Sequence, residues 1–206
     1  MSTSARGYSR YAMSFSTGTL LSRESMIAAS LYLDTEDWAA VRGRLNAENL
    51  LQARTASSRD RLAREVVQRL ATLTETELRL LVEAGPSERS HLMWVAACRR
   101  YAFIGDFAEE VVRERFLLLT PALGYAEFDS FVRGKSLWHP ELAELKPSTL
   151  QKLRSNLFRM LADAGLLANG EITQAMVSQR VLDVLNARVP SDLRFLPTRA
   201  GQEVTL

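Results

Sequence analysis

Apolar residues recur at intervals of three and four along most of the chain, and that spacing confines it to a packing of short amphipathic helices. Leu62, Val66, Leu70 and Leu73 form one stripe, and Trp38, Val41 and Leu45 another. Stop and start signals cut the pattern into short pieces. Thr74 and Glu77 have capping-box spacing, in which the threonine hydroxyl and the glutamate each satisfy a backbone N–H that the first helical turn leaves free. Gly85-Pro86 ends the helix they begin. The expected helices run from Ser22 as a cap to Asp34, then from Thr35 with Glu36 and Asp37 in the first turn. Others open at Ser57 or Ser58, at Thr74, and at Ser87, the last interrupted at Gly105 before Pro121 closes the series. Residues 1–20, rich in Ser, Thr, Gly, Arg and Tyr, read as an arm, and 21–120 as a multi-helix bundle.

From residue 121 the pattern changes. Tyr125 to Val132 spells a short helix, Trp138-His139-Pro140 a turn, and Pro147 or Ser148 opens a helix through Ala164. Asn169-Gly170 is the strongest hairpin turn in the chain, suited to positive φ at both positions, with Leu166-Leu167 and Ile172 on its two arms. Ser178 caps a last helix to about Arg188, and the end, Val204-Thr205-Leu206, reads as irregular. A short helix, a turn, an amphipathic helix and a hairpin outline a winged helix-turn-helix over 121–206. The expected fold is therefore mainly α, an N-terminal bundle followed by a winged-helix-turn-helix-like part with one short β-hairpin.

Charge narrows the function. The net charge of +2 says little, but its distribution says more. Residues 42–69 carry seven Arg against three acids, 71–145 eight bases against twelve acids, and 146–206 eight against five. The bases are 23 Arg and three Lys. Arg binds phosphate bidentately, although a codon bias toward Arg accounts for the excess equally well. On the helix from Ser148, the residues Lys152, Ser155, Asn156, Arg159 and Asp163 share one arc, and Leu150, Leu153, Leu157, Met160 and Leu161 the other. Side chains of the first kind bind phosphate oxygens and base edges, and a solvated helix face is the plain alternative. The second cationic set is Arg54, Arg59, Arg61, Arg64 and Arg69, beside the hydroxyls of Thr55, Ser57 and Ser58, with Asp60 and Glu65 as possible neutralising partners.

Catalytic signatures are absent from the sequence. There is no Walker A loop, GxGxxG, GxSxG or HExxH. His91 and His139 stand 48 positions apart, and neither has the donors for a zinc site, so both read as structural. Ser16-Thr17-Gly18-Thr19 has too little glycine for a phosphate loop, and Glu109, Glu110 and Glu114 read as a solvated face. Cys98, the single cysteine, sits in an apolar run and reads as a buried small hydrophobe. No run approaches the roughly 18 apolar residues of a membrane span, and no signal peptide is expected, which points to the cytoplasm. The expectations are no catalytic residues, no metal, no cofactor and no small-molecule substrate.

Two blocks of residues resemble a known family. One is Ser30-Leu31-Tyr32-Leu33 with Asp37-Trp38 and Glu48 through Ser58; the other is Trp138 through Leu142 with Thr149 through Arg154, Phe158 through Leu161 and Ala164 through Leu167. Cys98 through Tyr101 and Glu114-Arg115-Phe116 fit as well. Together they resemble the BrxA family of BREX (bacteriophage exclusion) phage-defence systems, from about residue 14 onward. The resemblance implies a cytoplasmic, helical, non-enzymatic protein that binds double-stranded DNA, with RNA possible, and works beside other BREX proteins. An adaptor or scaffold for those subunits is the alternative. The family has also carried an inner-membrane label, from which this sequence departs. It transfers no fixed site residues, so the cationic faces stand on their own.

Overall fold

The computed structural model describes residues 10–15 and 17–200. The rest of the predicted arm and the closing Val204-Thr205-Leu206 lie outside the described residues. The chain is mainly α. Its helices are α1 (Ser22–Thr35), α2 (Trp38–Ala47), α3 (Ala56–Leu70), α4 (Glu75–Glu83), α5 (Pro86–Arg100), α6 (Ala102–Phe107), α7 (Glu114–Leu117), α8 (Tyr125–Lys135), α9 (Pro140–Ala143), α10 (Pro147–Asp163) and α11 (Gln179–Asn186). A π-helical stretch, Ala108–Arg113, joins α6 to α7, and a 3₁₀ turn, Asp192–Phe195, follows α11.

Local chemistry sets most boundaries. Thr74 and Glu77 form the expected capping box. Other starts differ from the sequence reading. Leu21, at φ 60°, precedes α1 where Ser22 was expected as the cap. Thr35 stays inside α1, its hydroxyl donating to Leu31 O, and Glu36 at φ 52° ends that helix. Asp37 then caps α2 by accepting from Ala39 N at 2.7 Å, a role a carboxylate fills well at the positive end of a helix. Thr55 caps α3, with Ser58 as its reciprocal partner. The expected break at Gly105 falls instead at Tyr101 (φ −124°, ψ 96°), whose hydroxyl is held by Glu65 at 2.8–2.9 Å. Gly105 lies inside α6 for a packing reason: a Cβ there would stand 3.0 Å from Cys98 O and 3.2 Å from the Phe195 ring.

Helix α5 is the axle of the fold. His91 through Cys98 are buried on every side, as befits a helix packed by α1, α3, α4, α6 and α10. Cys98 is among them, a buried free thiol whose ionisation burial pushes well up. One apolar core extends from Tyr11 to Leu196. Its aromatic part joins Tyr11 and Phe15 to Phe103, and Phe103 and Phe107 to Phe128 and Phe131 of α8. The hairpin forms as read, β1 (Leu167–Ala168) pairing with β2 (Glu171–Ile172) around Asn169 and Gly170, at φ 52° and 78°. Residues 121–123 add a third line of bonds, Ile172 N to Pro121 O and Leu123 N to Gly170 O, both 2.8 Å. Among the described residues no helix is long and apolar enough to cross a membrane.

Candidate nucleic-acid interface

Helix α3 buries Ala63, Val66, Val67 and Leu70, which turns Arg61 and Arg64 outward. Arg54 is exposed just before the helix, and Arg59 is half-buried with its Nε unpartnered. None of these four has a carboxylate within ion-pair distance among the described residues. The two acids expected to neutralise them do not. Asp60 makes no ion pair among the described residues, and Glu65 turns inward to Arg69 (2.8 Å) and the Tyr101 hydroxyl. Arg69 is a correction to the cationic set. Its side chain is wholly buried and donates to Thr19 O (2.8 Å) and Thr17 O (3.3 Å), so it holds the protein together and meets no ligand.

Helix α10 buries Leu153, Leu157, Met160 and Leu161 and presents Lys152, Ser155 and Arg159 to solvent. Lys152 and Arg159 have no carboxylate partner among the described residues, whereas Arg154 is held by Asp129 (3.0 Å) and lies over the Tyr125 ring. Ser155 Oγ donates to Gln151 O at 3.0 Å, which leaves its lone pairs outward. Asn156 is the second correction. It shares the arc of Lys152 and Arg159, yet it is 9% exposed and its amide donates to Phe15 O at 3.0 Å. Asp163, one turn pair further on, accepts from Leu20 N. The middle of the arc therefore binds the protein's own N-terminal segment.

That segment brings the two cationic helices together. Asn156 of α10 grips it at Phe15, and Arg69 of α3 grips it at Thr17 and Thr19. Four residues of chain span at most about 14 Å. Gly18 is closer still to both. It touches Asn156 on one side and lines, with Arg54, Ser58 and Arg61, a cleft of about 410 Å³ on the other. A second cleft of about 400 Å³ also takes Arg61 as a wall, with Arg64 and Arg100. Arg100 was not singled out in the sequence. It sits at the end of α5, and only the packing of α5 on α3 carries it to Arg64.

The remaining sequence candidates have structural surroundings. His91 is buried, which lowers its pKa against the opposing pull of Glu88. His139 stacks on Tyr11 at 3.8 Å between ring centres, with Glu141 Oε1 3.3 Å from its Nδ1. Among the described residues no three His, Cys, Asp or Glu are placed to hold a metal ion.

Comparison with known proteins follows the same line. The BrxA family model matches residues 9–189. The chain is 32% identical over 148 residues to the BREX protein BrxA of Escherichia coli O9:H4 strain HS, covering 72% of this chain and 70% of that protein. It is 27% identical over 175 residues to the BREX protein BrxA of Paramagnetospirillum magneticum strain AMB-1, covering 84% and 86%. A crystal structure of an uncharacterized protein from Magnetospirillum magneticum superimposes with a TM-score of 0.79 at 22% identity, over 92% of this chain and 98% of that one. That likeness shows the fold alone.

Proposed function

Because the chain belongs to the BrxA family, whose curated relatives are named BREX proteins, we propose that it is the non-enzymatic DNA-binding component of a BREX phage-defence system. Duplex phosphates are contacted by Arg54, Arg59, Arg61 and Arg64 of the α3 region and by Lys152 and Arg159 of α10; Ser155 lies between the latter two and donates to phosphate only by turning its hydroxyl away from Gln151 O. One observation carries the reading: Gly18, beside Asn156 of α10, also lines the Arg54–Arg61 cleft of α3, so one short segment touches both cation-bearing helices. The order of elements supports it. Residues 121–123 bridge to β2, α8, α9 and α10 follow, and the hairpin closes the unit, the order in which a winged helix-turn-helix would use α10 as recognition helix and Asn169-Gly170 as wing.

The test is a salt-titrated binding assay on unrelated duplexes and on an RNA of equal length. Six phosphate contacts give a slope of log affinity on log salt of about −5. Replacing Lys152 and Arg159 together with Ala weakens all duplexes about equally and takes about two from the magnitude of the slope. An unchanged slope removes α10 from the interface.

A second reading has its own observation. Leu118 and Leu119 are 72% and 73% exposed at the end of α7, and Leu118 lines an acidic cleft with Glu110, Glu114 and Glu127. Apolar side chains beside acids, of which Glu114 has no ion pair among the described residues, suit an adaptor that docks another BREX subunit. Capture of such a subunit, with no shift of DNA, decides for it.

A further inference from the structure

The cleft walled by α3 and the end of α5, about 400 Å³, differs from the neighbouring Arg54–Arg61 cleft of similar size in gathering three guanidinium groups. Arg61 and Arg64 project from α3, one turn apart, and have no carboxylate partner among the described residues. Arg100 approaches from α5 already positioned: it donates to Gln68 Oε1 at 3.2 Å and lies over the Tyr101 ring at 5.0 Å. A side chain held in this way loses less freedom when it binds an anion. The one carboxylate in the wall, Glu65, is occupied by Arg69 and by the Tyr101 hydroxyl, so its charge is cancelled from within. Ser14 and Ser57 add hydroxyl donors at the rim. Three positive charges thus face a cavity of a size that suits a single nucleotide.

We propose that this cleft is a receptor for a phosphate monoester, either the 5′-terminal phosphate of a polynucleotide or that of a free mononucleotide, bound by Arg61, Arg64 and Arg100. The proposal deepens the DNA-binding reading by naming what the α3 side of the surface takes. An internal phosphodiester carries one charge and lies on a convex duplex. A monoester carries about −1.5 to −2 at neutral pH and has three free oxygens, a closer match to three converging guanidiniums.

Fluorescence anisotropy on the full chain tests it, with one duplex prepared with 5′-phosphate and with 5′-hydroxyl ends, and with deoxyadenosine monophosphate and deoxyadenosine as competitors. The phosphorylated duplex binds about tenfold tighter, equivalent to about 1.4 kcal/mol. Arg100→Gln brings the ratio close to one. Gln68→Glu, which sets a carboxylate in the wall without truncating α5, does the same and serves if the first variant fails to fold. Competition by the monophosphate and not by the nucleoside identifies a free nucleotide as a ligand too. Equal binding of the two duplexes, with no competition by the monophosphate, overturns the proposal and leaves the duplex reading intact. If neither duplex binds, but the monophosphate binds directly in calorimetry and Arg100→Gln abolishes it, the duplex reading falls and the cleft stands. Loss of all binding to both overturns both.

Discussion

Substituting Gly18 by Ala puts one methyl group at the junction of α3, α10 and the N-terminal segment. The added Cβ would lie 2.4 Å from Asn156 Oδ1, 3.0 Å from its Cγ and 3.4 Å from its Cα. Gly18 does not have positive φ, so the cost is steric and the backbone contributes nothing. Something must move, and Asn156 is the movable neighbour. Turning its carboxamide away breaks the bond from its Nδ2 to Phe15 O and leaves a buried amide without its partner. The lost bond is worth about 0.5–1.5 kcal/mol, and each buried polar group left unsatisfied about 1–3 kcal/mol. The expected loss is about 2–3 kcal/mol, read as a lower urea midpoint at unchanged slope. Asn156→Ala alone loses the same bond but opens room for the methyl. The double variant should therefore be little worse than Asn156→Ala, a coupling of about 2–3 kcal/mol between the two sites. Additive losses would refute the reasoning, because they would mean that the methyl group strains something other than Asn156.

Arg99 reaches Glu77 at 2.6 Å and Asp192 at 2.7 Å with all three side chains almost fully buried. Arg99→Met leaves buried Glu77 without a cation and Asp192 with only the longer contact to Arg194 (3.8 Å), and costs about 3–5 kcal/mol in chemical denaturation at neutral pH. Burial alone raises the Glu77 pKa, but hydrogen bonds from Arg99 and Thr74 outweigh it and hold it below the usual value. Without Arg99 only burial and the cap remain, so the penalty should shrink as the pH falls and the carboxylates take up protons. A penalty that grows on acidification contradicts this. Glu88 accepts from Arg180 Nε (2.7 Å), Ser178 Oγ (2.6 Å) and Gly85 N (3.0 Å), and the Arg180 bonds above all hold its pKa down to about 2 from 4.5. A depressed folded-state pKa gives stability that is fully present above pH 4.5 and lost as the pH falls toward 2. Glu88→Gln should flatten the fall of Tm in that window, and an unaltered curve would show that the contact to α11 does not form.

The parts of the molecule that could be read from sequence are those decided within one helical turn or one hairpin. The Thr74–Glu77 box and the Asn169-Gly170 turn each need only residues three or fewer positions apart. Neighbouring candidates for one cap were harder. Thr35, Glu36 and Asp37 all suit a helix start, and the left-handed Glu36 decides for Asp37. The break at Tyr101 has no local signal in the sequence, and the hydroxyl bond this residue makes is to Glu65, 36 positions away. The same distinction divides the candidate site. Arg61 and Arg64 face outward because the apolar stripe of α3 faces inward. Asn156 and Arg69 occupy equally polar arcs, yet partners 141 and 52 positions distant draw them inside. A helical arc records which side avoids the apolar core, and says nothing of a polar segment laid across that side.

Internal pairing explains how a chain of net charge +2 leaves several cations without a carboxylate partner among the described residues. The acids of the middle region are used in internal pairs: Glu77 on Arg99, Glu88 on Arg180, Asp106 and Glu110 on Lys135, Asp129 on Arg154. The one-to-one pairs are nearly neutral at a distance, and the Asp106–Glu110–Lys135 group keeps one net negative charge. Asp163, which lies on the α10 arc itself, accepts from Leu20 N and stands one turn beyond Arg159. What remains without a carboxylate partner among the described residues includes Arg54, Arg59, Arg61, Arg64, Lys152 and Arg159, and the N-terminal segment touches both helices that carry them, through Asn156 of α10 and Arg69 of α3. On the function proposed above, a polyanion laid across that segment would meet both groups, while exposed charges further apart than about 10 Å at 0.1 M salt would be largely screened from one another. The local excess therefore follows from which charges find partners during folding, and the overall count of Arg and Lys does not reveal it.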